Sequence, residues 1–209
     1  MKNSKFTLFG LVFLGFQTLW GRDYSLDEIK QMVAKQQQQE IKRVEVMESS
    51  SKLFKKYSNI QSMKTLKRYF DILKFKANSA YSNRFVLDTE KWLKYSLLER
   101  LKFDLPKEDF LKINDTLLET TKFAQENISH EELQDLNKKG VVAVNSLGLY
   151  SFPINDKTRK AKTILKKGDN LNIKYYITTT GKDLWAFVES SNGKKGFVDM
   201  KYVKVEGGF

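Results

Sequence analysis

From Ser25 to Lys139 the chain contains no glycine and a single proline, whereas the stretch from Gly140 to Phe209 holds eight glycines. Glycine disfavours helix interiors and serves tight turns, so this one shift divides the chain into a helix-competent part and a turn-rich part.

In the first part apolar residues recur at helical spacing. Ser25-Leu26-Asp27-Glu28 reads as a capping box and predicts a helix start. Leu26, Ile29, Val33, Ile41, Val44 and Met47 lie near one stripe, interrupted by Gln36 to Gln39, where the helix is expected to be solvated or loosely paired. Ser49-Ser50-Ser51 weakens the pattern before Leu53, Phe54 and Tyr57. Met63, Leu66, Phe70, Leu73, Ala77 and Ala80 predict a second helix with a narrow seam. Asp88 is read as the cap of a third, which carries Trp92, Tyr95, Leu98 and Leu101 and stops at Leu105, because the residue before a proline avoids helical geometry. Pro106 suits the first turn of a fourth, with Phe110, Ile113, Leu117, Thr121 and Ala124 on one side. Ser129-His130-Glu131-Glu132 is a second capping box, and Gly140 after Lys138 and Lys139 is the expected helix end.

Beyond Gly140 the helical period vanishes. Val141–Val144, Thr163–Leu165, Leu171–Thr179, Leu184–Val188 and Gly196–Val198 are short β-branched and aromatic runs separated by turn formers such as Lys167-Gly168-Asp169-Asn170 and Ser191-Asn192-Gly193. That pattern argues for a small antiparallel barrel. The fold class expected is α+β by segregation, an N-terminal helical bundle followed by a small all-β barrel.

Residues 1–21 read as a secretory signal peptide, with Lys2 and Lys5 ahead of an uncharged run from Phe6 to Phe16 that is too short to span a bilayer. An uncleaved membrane tether is the alternative. Either way the body is expected outside the cytoplasm, in the periplasm or cell envelope. Removing Lys2 and Lys5 lowers the formal charge from +12 to +10. For an exported chain that balance points to acidic wall polymers, an acidic protein or an anionic membrane surface rather than to nucleic acid.

The order of motifs in the last third resembles the bacterial Src homology 3 (SH3b) family. Gly140-Val141-Val142-Ala143-Val144 looks like its opening strand, and Leu147-Gly148-Leu149-Tyr150-Ser151-Phe152-Pro153 is similar to its L-N-V-R-S-G-P stretch. Ile164-Leu165-Lys166-Lys167-Gly168-Asp169-Asn170-Leu171 resembles T-L-K-K-G-D-K-V, Trp185-Ala186-Phe187-Val188 resembles W-Y-K-V, and the run from Gly193 to Val203 resembles G-K-T-G-W-V-H-S-S-Y-L. Tyr150 and Phe152 stand where the family usually has Arg and Gly, and Phe197 where it has a second Trp. The resemblance implies an SH3-like barrel over 140–209, after a helical domain over 22–139 to which it does not extend.

Strand alternation supplies a candidate site. If Ala186 and Val188 face inward, Trp185 and Phe187 face outward, and Phe197 neighbours Trp185. With Tyr150, Phe152 and Tyr202 these rings form one aromatic face. It is either a groove for an extended peptide or a surface that caps the barrel or docks the helical domain. Lys157, Arg159, Lys160, Lys162, Lys166 and Lys167 would provide a basic rim beside it, or a solvated basic loop.

Catalytic readings fare poorly. The chain has no cysteine, which removes thiol nucleophiles, disulfides and zinc ribbons, and its one histidine, His130, sits within a capping box. Glu48-Ser49 is similar to the Glu-Ser of lytic transglycosylases, but the Gly-Leu-Met-Gln that should follow is missing. The expectation is a non-catalytic envelope protein without cofactor or metal. Its barrel would bind wall peptide, peptidoglycan or a partner protein; the rival reading is an assembly protein acting through its helices, and a wall hydrolase is the minor alternative.

Overall fold

A computed structural model of the chain describes residues 25–75, 80–128, 135–155, 159–179 and 181–207. The segment read as a signal peptide (1–21), the capping box expected at 129–132 with His130, and Lys157 lie outside them. The chain divides into two compact units, Met1–Val44 and Glu45–Phe209.

Helix α1 (Leu26–Lys56) starts at the expected capping box. The Ser25 amide donates to Glu28 Oε2 at 2.8 Å, and the Glu28 amide donates back to Ser25 Oγ at 3.3 Å. The serines at 49–51 do not end the helix, since a serine hydroxyl can bond back along it, as Ser51 Oγ does to Glu48 O at 2.7 Å. In the first unit Leu26 and Ile41 are exposed, as the polar cast of the helix requires.

The second unit contains α2 (Gln61–Phe75), α3 (Ala80–Trp92), a π-helical segment (Leu93–Leu98), α4 (Glu99–Asp104) and α5 (Lys107–Asn127). The break between α4 and α5 falls where Pro106 placed it: Leu105 is extended, at φ −121° and ψ 151°. Asp109 in the first turn of α5 ties the end of α1 down, accepting from Lys56 Nζ at 2.7 Å and Tyr57 Oη at 2.5 Å. The expected start of a helix at Asp88 is corrected. Asp88 lies inside α3, where a carboxylate on the inner face has an interior partner instead of a capping role.

The strands are β1 (Lys138–Val142), β2 (Ser146–Leu149), β3 (Thr163–Lys166), β4 (Asn170–Thr178), β5 (Leu184–Ser190), β6 (Lys195–Asp199) and β7 (Val203–Val205). They form a five-stranded antiparallel sheet, ordered β6-β5-β4-β1-β7, and a two-stranded sheet, β2-β3. A Tyr150–Phe197 bridge links the two, with amide-to-carbonyl distances of 2.9 and 2.7 Å. Gly140 does not end a helix. It sits in β1 opposite Leu171 and Val205, where a Cβ would come within 2.9 Å of Val203 Cγ1. Here glycine permits close strand packing. Gly168 and Gly193 take positive φ, 90° and 75°, at the β3–β4 and β5–β6 turns.

The expected domain boundary at 139/140 is not a packing boundary. One hydrophobic cluster joins Met63, Tyr69, Phe85, Leu101 and Ile113 of the helices to Phe152, Tyr175, Trp185, Phe187 and Phe197 of the β region. A second cluster, mostly aliphatic, is made by Val142, Leu147, Leu149, Leu165, Leu171, Ile173, Ala186, Val188, Val198, Met200 and Val203.

Candidate functional site

The two clusters lie on opposite faces of the same strands. In β5, Ala186 and Val188 enter the aliphatic cluster, while Trp185 and Phe187 enter the aromatic one. The alternation read from the sequence therefore holds, and the strand is buried from Trp185 to Val188 because both of its faces are covered. A bulge in β4 extends the aromatic face. Ile173 pairs with Val188 and Tyr175 with Phe187, so Lys174 is the extra residue, and Tyr175 and Ile177 are turned to the helical side while Leu171 and Ile173 stay on the other.

The aromatic face is not an open groove, which corrects that half of the expectation. Phe152 stacks on Trp92 at 4.5 Å between centroids and 10° between planes, and approaches Phe85 at 5.8 Å. Phe197 meets Phe85 edge-on at 5.8 Å and Phe187 at 5.0 Å. Trp185 and Phe197 have no exposed surface, and Phe152 and Phe187 are buried. Rings of this size each remove roughly 150–250 Å² from water, so a face built of them is satisfied by the helices instead of being left for a ligand. Tyr150 is half-buried at the margin, edge-on to Trp185 at 6.0 Å. Tyr202 is not part of this face; it packs against the aliphatic cluster.

The rim also separates into different roles. Arg159 lies over the Tyr150 ring at 4.3 Å and the Trp185 ring at 5.5 Å, and it donates to Ile154 O and Asn155 Oδ1 at 2.8 Å each. It is a lid on the aromatic cluster. Lys160, Lys162, Lys166 and Lys167 are exposed.

A polar cluster that sequence reasoning missed seals the edge of the helix–sheet contact. Tyr175 Oη donates to Asp88 Oδ2 at 2.7 Å, and Arg84 lies over the Tyr175 ring at 5.2 Å. Arg84 pairs with Asp135 at 2.5 Å, Asp135 with Lys174 at 2.7 Å, and Lys174 with Glu189 at 3.5 Å. Burial raises the Asp88 carboxyl above its usual range, against the donation from Tyr175 and the charge of Arg84. Burial also pushes Asp135 up, but the hydrogen bonds from Lys174 and Arg84 together hold it below the ordinary value. Tyr175 is raised well above its ordinary value by burial and by the Asp88 charge. These groups bond one another. Among the described residues no cluster of His, Asp or Glu is suited to hold a metal ion, and no helix is long and apolar enough to cross a membrane.

No family model, no curated protein and no solved structure matches this chain.

Proposed function

We propose that the protein is an exported, non-catalytic binding and scaffolding module of the cell envelope, with an SH3-like barrel as its last third and with its partners engaged outside the aromatic face. One observation carries this reading: Phe152, Trp185, Phe187 and Phe197 are consumed by packing against Tyr69, Phe85 and the helices around them. A barrel that spends its largest rings on an internal joint serves as a platform, and its ligands are met by the outer surface. The Phe6–Phe16 segment supports export, and the +10 charge of the remaining chain supports an acidic partner.

A second reading, assembly through the helices, is favoured by exposed apolar side chains on them: Leu26 and Ile41 of α1, Tyr95 in the π-helical segment and Phe103 of α4, the last at 82% exposure.

Sedimentation of the full chain with insoluble peptidoglycan over a salt series tests the platform reading. It predicts retention that disappears at modest salt, as expected of a charged surface. Retention that resists salt would mean a wall-binding groove and would overturn it. Photo-crosslinking from Ile41 and from Lys182 in envelopes separates helical from β-surface partners.

A further inference from the structure

The outer side of the two-stranded β2-β3 sheet is built differently from the rest of the β region. Its register pairs Ser146 with Lys166 and Gly148 with Ile164. Alternation sends Leu147, Leu149 and Leu165 into the aliphatic cluster, so the even positions face outward. Ile164 is 57% exposed although it sits mid-strand, and Lys162 and Lys166 on either side of it are exposed too.

Gly148 opposite Ile164 leaves room that the Tyr150 ring occupies, since a Cβ there would collide with the Tyr150 hydroxyl. Tyr150 and Ile164 therefore form a small apolar platform. Three cations flank it. Arg159 lies over the Tyr150 ring at 4.3 Å, Lys162 Nζ donates to Lys195 O at 2.8 Å, and Lys166 is exposed at the next outward position. An ammonium has three donors, so the single bond seen at Lys162 leaves donors for a ligand. The outward positions 146, 148, 150, 162, 164 and 166 carry no carboxylate.

We propose that this face binds an extended acidic peptide segment of a partner protein. The inference deepens the binding-module reading and rests on it. The spacing selects the ligand. Alternate residues of an extended chain lie about 6.6–6.8 Å apart on one face, so an acidic residue, an apolar residue two positions on and a second acidic residue two further match Lys166, Ile164 and Lys162 in turn. A bare polyanion would use the lysines and leave Ile164 idle.

The test is fluorescence anisotropy on the full-length chain with a labelled peptide repeating Glu-Ser-Leu-Ser-Glu. A peptide of the same composition with its glutamates adjacent is run beside it, together with polyglutamate and polyphosphate. The spaced peptide should bind tightest. Ile164→Ser should weaken it about tenfold, because the apolar contact is worth on the order of one to two kcal/mol. Lys162→Ala with Lys166→Ala should weaken it about fivefold. Lys182→Ala with Lys204→Ala, which removes equal charge elsewhere, should leave it unchanged. All these side chains are exposed, and far-UV spectra check that each variant folds. The proposal is overturned if the spaced peptide does not bind, if the adjacent-glutamate peptide or polyphosphate binds as well, or if Ile164→Ser has no effect. Those results would leave the wider binding reading to the peptidoglycan and crosslinking experiments, which do not depend on Ile164.

Discussion

The two faces of the five-stranded sheet are built from the same strands and solve different problems. The aliphatic face packs against β2, β3 and the Met200–Tyr202 turn, with side chains such as Val188, Val198 and Ile173 that interlock over short distances in sequence. The aromatic face packs against helices, with rings that meet Tyr69, Phe85 and Trp92 more than fifty residues earlier in the chain. The first is the core of a small β unit. The second is a joint, and it makes helices and strands one unit despite their segregation in sequence.

Truncation separates the two faces most plainly. A chain ending at Lys139 leaves Tyr69, Phe85 and Trp92 uncovered, and it should lose a cooperative thermal transition and bind a hydrophobic dye, as followed by far-UV melting and dye fluorescence. Phe197→Ala comes next. It should cost about 3–5 kcal/mol in denaturant unfolding and lower the helical and strand signals together. Leu149→Ala on the other face should cost about 2–5 kcal/mol, while the Phe152–Trp92 stack keeps its near-UV signal in the folded state.

Tyr175→Phe sharpens the joint further. It strips Asp88 of its donor within a buried setting and should cost about 1–3 kcal/mol, read from the urea midpoint. The smallest effect is a pH dependence. Because the Asp88 carboxyl is raised in the fold, its contribution to stability is complete below the unfolded value of about 3.9 and is lost as pH rises through the folded value. Asp88→Asn keeps an acceptor for Tyr175 and removes that titration. The stability difference between variant and parent should therefore move in the variant's favour as pH rises across that window, measured by unfolding at a series of pH values.

Much of this was legible in the residues themselves. The capping box at Ser25, the break at Pro106 and the opposite facing of Ala186 and Trp185 all follow from local rules that the chain obeys. What covers the aromatic face did not, because alternation says which way Trp185 points and says nothing of what arrives from elsewhere in the chain. The bulge at Lys174 was hidden as well: Leu171, Ile173, Tyr175 and Ile177 read as one face, and only the pairing with β5 divides them between two. Asp88 looked like a cap since a capping carboxylate and a buried one are the same letter; its partner, Tyr175, lies in a distant strand. Gly140 looked like a helix end because the demand for a missing Cβ comes from Val203, far along the chain. Ile164 stood in a strand run with no sign that it would be left outside, a fact set by the inward turn of Leu165 and the glycine opposite.

If the aromatic face is an internal joint, the helices of the second unit and the sheet unfold as one. Urea unfolding of the full-length chain, followed at once by far-UV helical signal and by the near-UV signal of the stacked rings, tests it most directly. Superimposable curves with one midpoint are expected. A helical transition separated from loss of the ring signal would show that the two regions stand independently, and would contradict it.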